Sequence, residues 1–466
     1  METFLESKES KRDFYRKVIK IGTPMALTQL MTSLLSLVDT IMVKNLGDNA
    51  VAAVGISVSF MFLLIMVQFG FFSGLAIFVA QFWGSKDIKN MHKVFVITVF
   101  IGAILSTFFF LVGHFFPDTI ISIYNNGSDL ASKAEVLDLG VRYLKIAAFS
   151  YFTMTITFTL SMYMRSVERV MYPQIVSISV VVLNTFLNYI LIFGNYGFPK
   201  MGVEGAAIAT LISSFIGSLF LIGYFIKSKS EVFKIKFSVY KEITRDFVKK
   251  LLDKSLPVAL NEAIWGLGMT AYVIAYGFIS PASVASAHIT NQIMGLFWAF
   301  NAGLSGASAI MLGNKLGEGN LQIAKSWGIR FIKILSIAGI LLGVLLFALS
   351  DSIAQFFTNI SSGGTNEVAN NVGLILRIFA FYIPIKFINA YNIIGSLRSG
   401  GDTKFALFAE IGPLWIIGVP LAFILSLSTD LPLYIIIAIV NIEEIFKFAL
   451  LVPRFFTFKW VKNLTN

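Results

Sequence analysis

At 466 residues, with 56% hydrophobic and only 14% charged side chains, the chain lacks the polar surface of a soluble domain, which is about 25% charged. Its net charge of +11 is not a nucleic-acid signal, because no separate basic domain or aromatic platform exists to carry one. Zero cysteines exclude disulfides and thiolate metal sites and leave the redox compartment undetermined.

Apolar runs recur from end to end, each about twenty residues or more and so long enough to cross roughly 30 Å of hydrocarbon. Lipid offers no partner to a free N–H or C=O, so the spans are helical. The alternating segments of about ten residues that build a spanning barrel are absent. Residues 1–20 are mostly polar and charged and lack a small-residue cleavage site, which predicts a retained cytoplasmic arm. Twelve spans follow, at 18–43, 50–82, 93–116, 139–163, 172–194, 203–226, 255–278, 283–313, 326–350, 373–397, 404–428 and 432–452. The second and eighth exceed the bilayer and are expected to tilt or extend into water.

Charge tests this map. The N-terminus, the even-numbered loops and the C-terminus, with the adjoining span ends, hold 27 of the 37 Lys and Arg, whereas the odd-numbered loops hold Lys44, Lys133 and Lys200. This asymmetry places both termini in the cytoplasm, in a cytoplasmic (inner) membrane. Residues 227–254, with nine basic and four acidic side chains, read as a linker, with an amphipathic surface helix as one form. An ungapped offset of 233 residues pairs Pro24-Met25-Ala26-Leu27 with Pro257-Val258-Ala259-Leu260, Val51-Ala52 with Val284-Ala285, Gly84 with Gly317, and Arg165-Ser166 with Arg398-Ser399. The expected fold is an all-α membrane protein of two pseudo-symmetric six-helix bundles, 1–226 and 255–466. Six crossings return the chain to its starting side, so these are parallel repeats.

A charge at bilayer depth costs at least about 2.5–3.5 kcal/mol and needs a reason. Asp39 lies late in the first span on one helical face with Thr28 and Thr32, which predicts a cation or proton site. In the fifth span Asn184 and Asn188 stand one turn apart and offer oxygen ligands beside that carboxylate. In the second half Glu262 follows Asn261 early in the seventh span, and Glu410, Glu443 and Glu444 lie in the last two spans, with Lys386 and Lys447 placed to neutralise two of them. His92, His114 and His288 are scattered and make no metal motif. No acid–base pair sits beside a nucleophile and the glycine pairs form no phosphate loop, so the chain is not expected to be an enzyme or an ATP-driven pump, and needs no cofactor beyond a coupling ion.

The segments Ser36-Leu37-Val38-Asp39-Thr40-Ile41-Met42-Val43, Ala50-Val51-Ala52-Ala53-Val54-Gly55, Gly202-Val203-Glu204-Gly205-Ala206-Ala207 and Arg398-Ser399-Gly400-Gly401-Asp402-Thr403 together resemble the multidrug and toxic compound extrusion (MATE) family over nearly the whole chain. The resemblance implies two lobes around a central cleft and export of lipophilic organic cations in antiport with sodium ions or protons. It matches Asp39, Asn184, Asn188 and Thr210 to a cation site, a sodium site if sodium is the coupling ion. Many relatives carry an acid where this chain has Asn188, and Glu262 sits about one turn earlier than the seventh-span acid of better-known members. Asp402 matches a position implicated in some relatives and also suits a helix cap. Glu262, Asp402 and Glu410 are therefore the second-lobe candidates for substrate or ion. A small cationic substrate, the bilayer, no nucleic acid and a monomer complete the expectation. A lipid-linked oligosaccharide flippase of the same superfamily would instead need a cationic lining, for which Lys145, Arg377 and Lys386 are the candidates. A membrane-embedded transferase would need a His/Asp or Asp/Asp cluster, which is missing, and a non-transporting receptor would not need two halves.

Overall fold

The computed structural model describes residues 8–44, 46–124, 130–360 and 365–465, with the backbone alone described at 8–10, 35–41, 44, 124, 130, 131, 237, 281 and 360. Among them all regular structure is helical: α1 (Lys8–Lys17), α2 (Thr23–Lys44), α3 (Asp48–Gly84), α4 (Ile88–Phe115), α5 (Pro117–Tyr124), α6 (Leu130–Ala147), α7 (Ser150–Ser166), α8 (Met171–Phe193), α9 (Gly202–Lys227), α10 (Arg245–Gly277), α11 (Pro281–Gly317), α12 (Leu321–Ile360), α13 (Asn366–Ala390), α14 (Thr403–Pro413), α15 (Val419–Ser428), α16 (Leu433–Val440) and α17 (Ile442–Phe456). Nine described helices are long and apolar enough to cross a membrane, and α6 with α7, bent by 49°, makes a tenth. The first and last of the twelve expected spans correspond to α2 and to α16 with α17.

The starts of these helices are written locally. Asp87 caps α4 by accepting the Asn90 N–H at 3.1 Å. Ser280 caps α11 by accepting the Ser283 N–H, with Pro281 supplying the first turn. The 233-residue repeat is visible in the boundaries. α3 and α11 are each 37 residues long and begin and end at equivalent positions, and α4 and α12 start at the equivalent residues Ile88 and Leu321.

Two compact units emerge, an N unit of Leu30–Val79 and Lys86–Leu251 and a C unit of Met1–Gln29, Ala80–Ser85 and Leu252–Asn466. In the N unit one core gathers Leu64, Phe109, Ile121, Leu144 and Tyr151, and a second gathers Tyr143, Ile192, Val203 and Ala207. In the C unit α12 and α13 approach closely because α12 carries Gly339 and Gly343 on one face. A Cβ at Gly343 would stand 2.5 Å from the Ala380 carbonyl oxygen, and one at Gly339 would stand 2.8 Å from Pro384 Cα, the small-xxx-small device of membrane helices. Exposed Ile337, Leu341 and Val344 form the other face of α12, the surface a lipid-facing helix presents.

Four features add to the sequence reading or depart from it. The N-terminal arm is helical in α1 and anchors Phe14, fully buried against Trp327 and Phe331 with centroids 5.6 and 5.0 Å away. Of the expected linker, residues 245–254 are helical as the start of α10, while the stretch before them, whose helical turn is 3-10, Phe237–Glu242, docks on the N unit. There the Val232 carbonyl accepts from Tyr163 Oη at 2.9 Å and His92 Nε2 at 3.2 Å, and Lys89 reaches Glu242 at 2.6 Å. α10 begins at Arg245, well before residue 255. The twelfth span is broken at Asn441, whose Nδ2 folds back on the Ile437 carbonyl at 2.8 Å.

Candidate functional site

In the N unit, α8 carries the amide pair and α9 the hydroxyl that meets it. The turn between them is tight: Gly194 ends α8 with φ at 75°, the left-handed conformation that glycine adopts freely. Met201 N–H then donates to the Leu191 carbonyl at 2.9 Å. Helical spacing sets Asn184 and Asn188 on one face of α8, and the antiparallel α9 presents Thr210 to them. Asn188 Nδ2 donates to Asn184 Oδ1 at 3.2 Å, Asn184 Nδ2 donates to Thr210 Oγ1 at 3.3 Å, and Thr210 Oγ1 donates to the Ala206 carbonyl at 3.1 Å. Asn188 is 4% exposed, whereas Asn184 and Thr210 are half-buried. Three of the four residues matched to the cation site are thus brought into one relay. The fourth, Asp39, is carried in the helical backbone of α2, but its side chain lies outside the described residues.

The C unit contains a denser network. Glu262 on α10 pairs with Arg398 at 2.6 Å, and its neighbour Asn261 donates through Nδ2 to Glu410 Oε2 on α14. On α17, Lys447 lies 3.2 Å from Glu443 and 3.4 Å from Glu444, and Lys386 on α13 reaches Glu444 at 3.3 Å. Asn389 Nδ2 adds a donor to Glu444 Oε2 at 2.8 Å. Lys386 and Lys447 neutralise the paired glutamates as their positions suggested. Four carboxylates meet three cations here, and Glu410 has an amide where the others have an ion pair.

Asp402 is placed apart from that network. It occupies the N-cap position of α14 but makes no side-chain cap bond. Its carboxylate instead takes Arg454 Nε at 2.8 Å and Nη2 at 3.1 Å. Arg398 and Asn389 were not singled out by the sequence as site residues; Arg398 stood out only as the repeat mate of Arg165 and as the first residue of a family-like segment. Of the cations a flippase would need, Arg377 is tied to Asp351 at 2.5 Å and Lys386 to Glu444. Among the described residues no three His, Cys, Asp or Glu gather as a metal cluster, so the α8–α9 relay offers amide and hydroxyl oxygens instead.

Comparison with known proteins gives a context for this geometry. The MatE family model matches twice, over residues 24–190 and 257–424, starting at the two prolines that the internal repeat superimposes. The chain is 26% identical over 423 residues to a protein of Listeria monocytogenes called "Probable multidrug resistance protein NorM", covering 89% of this chain and 88% of that one. Among solved structures, a mutant of the Vibrio cholerae MATE transporter VcmN aligns with a TM-score of 0.85 at 16% identity, over 97% of this chain and 100% of that one. A MOP superfamily transporter from Pyrococcus furiosus, whose reversed pocket polarity suggests a different function for it, aligns with a TM-score of 0.84 at 20% identity, over 95% and 96%. At such identities the structural likeness speaks to fold alone.

Proposed function

Since the chain belongs to the MatE family of multi-pass membrane transporters, we propose that it is a secondary active exporter of lipophilic organic cations, driven by antiport of sodium ions or protons. The observation that carries this reading is the Asn188–Asn184–Thr210 relay between α8 and α9. A partly buried amide–hydroxyl chain supplies the oxygens that a small hard cation uses, and Asp39 is the acid that the family resemblance adds to the set. The relatives' naming as multidrug resistance proteins supports the substrate class. The 27-to-3 distribution of Lys and Arg supports a cytoplasmic-membrane location with both termini inside. The exporter works as a monomer with no cofactor beyond its coupling ion.

In this mechanism an incoming ion takes the carboxylate of Asp39, the two amide oxygens and Thr210 Oγ1, and replaces the relay's internal bonds with ion contacts. Ion binding favours one conformation and the organic cation favours the other, and only that difference in affinity drives export. Efflux of a fluorescent cation from everted vesicles, with the sodium and proton gradients collapsed in turn, identifies the coupling ion. Asp39→Asn and Asn184→Ala should insert and fold yet lose gradient-driven efflux. Parental efflux in either variant would remove the ion site from this account.

A further inference from the structure

α3 is one continuous helix from Asp48 to Gly84, yet residues 80–85 pack with the C unit while residues before Ala80 belong to the N unit. The end of α3 is therefore held in place by local contacts within the C unit. Two of these are between backbones. A Cβ on Gly84 would lie 2.0 Å from the Asn314 carbonyl oxygen, and one on Gly317 would lie 1.9 Å from that of Gln81. Gln81 and Asn314, like Gly84 and Gly317, are mates at the 233-residue offset, so α3 and α11 cross reciprocally through repeat-equivalent residues.

The segment after α17 lies over this crossing. It turns back through Phe458, whose φ of 53° is costly for a side chain of this size. Trp460 is fully buried, donates through Nε1 to the Phe455 carbonyl at 3.1 Å and stacks on the Phe455 ring. Gly400 is obligatory beside it, because a Cβ there would sit 1.4 Å from the Trp460 carbonyl oxygen. Beyond Trp460 the contacts change from packing to hydrogen bonds. Gln81 is fully buried and spends both ends of its amide here. Nε2 donates to the carbonyls of Ser399 at 2.7 Å and Lys462 at 3.2 Å, and Oε1 accepts the Leu464 N–H at 2.6 Å. Asn463 Nδ2 adds a donor to the Gly317 carbonyl at 3.4 Å.

We propose that residues Thr457–Thr465 are a latch, hinged at Trp460 and keyed by Gln81, that holds the end of α3 against α11 and has to release in each transport cycle. The inference rests on the reading of the chain as a transporter, but its structural half stands alone. The chemistry of the two ends differs in a way that suits the role. An apolar anchor such as Trp460 stays put, whereas backbone groups held by one amide exchange their partners for water at little net cost once water reaches them. Gln81 is then a positioning residue: it touches neither substrate nor ion and sets which helix ends move together.

The test is hydrogen exchange on the full chain reconstituted in lipid, read at residues 80–85, 313–319 and 459–465, alongside efflux. Gln81→Leu removes all three bonds. Gln81→Glu keeps the acceptor for Leu464 and loses the two donors, and so serves if the first variant folds poorly. Exchange at all three segments should rise together, by about tenfold for a lost set of bonds of this kind, with a changed efflux rate. A rise confined to 459–465, with 80–85, 313–319 and efflux at parental values, would show a tail that decorates the crossing and would overturn the latch. Asn184→Ala separates the two ideas, since it should abolish efflux without altering exchange at these segments.

Discussion

Glu262 is where the geometry makes its most exacting prediction. Its carboxylate lies 2.6 Å from Arg398 Nη2, with the two side chains 12% and 3% exposed, and Arg398 Nη1 has no hydrogen-bond partner among the described residues. Glu262→Gln therefore strands a guanidinium inside the C unit. Removing one member of such a buried pair costs about 3–5 kcal/mol, whereas replacing both by apolar residues of similar size is about neutral or stabilising. The expected outcome is that Glu262→Gln, Glu262→Leu and Arg398→Met each unfold at markedly lower denaturant concentration in detergent micelles, and that Glu262→Leu with Arg398→Met recovers most of the loss. The resulting coupling energy is about 3 kcal/mol, the upper part of the range for residues in contact. Because Arg398 already neutralises Glu262, efflux should follow stability and return in the double variant. A Glu262→Gln protein within about 0.5 kcal/mol of the parent would refute the pair as a buried structural contact. A double variant that is stable yet inactive would instead give Glu262 a direct part in transport.

Two further predictions probe packing and the docked linker. Gly343→Ala should cost about 1–3 kcal/mol by forcing α12 off the α13 backbone, while Gly223→Ala, whose Cβ would meet nothing within 4 Å, should be neutral or stabilise by about 0.5–1 kcal/mol; equal effects in the unfolding assay would disprove the close approach. Glu242 is held below its ordinary value of 4.5 by its hydrogen bond from Lys89. The linker contact should thus be intact above that pH and fail as pH falls through the lowered value. A nitroxide at Lys241→Cys, the sole cysteine in that variant, should gain mobility on acidification, and Glu242→Gln should be mobile at every pH. Equal mobility of Glu242→Gln and its parent at neutral pH would contradict the contact.

Hydropathy located the spans because a bilayer imposes one length scale on every crossing. It could also foresee that α3 and α11 overrun that length, because their apolar runs continue past it. What it could not foresee were the breaks. The bend between Ala147 and Ser150 and the interruption at Asn441 lie inside apolar runs, where averaging over a window erases a single irregular residue. Docking of the linker was hidden for a related reason: Phe233 is an apolar residue beside charges, and the rings that pack on it, Tyr163 and Phe225 with Phe95 behind them, are gathered from three separate helices. At the site, periodicity was enough to pair Asn184 with Asn188, because they share a helix. The partners of Glu262 and Asp402, and Lys386 and Asn389 beside Glu444, come from other helices, and no spacing rule specifies which of them reaches which acid.

The interruption at Asn441 has an electrostatic consequence. A break leaves a helix end on each side of it, and the half-charges of two abutting ends are opposite in sign and offset one another. Glu443 and Glu444 in the first turn of α17 therefore draw no net counter-charge from the main chain, and their balance falls to Lys386 and Lys447. Loss of either lysine would leave two adjacent acids to a single cation.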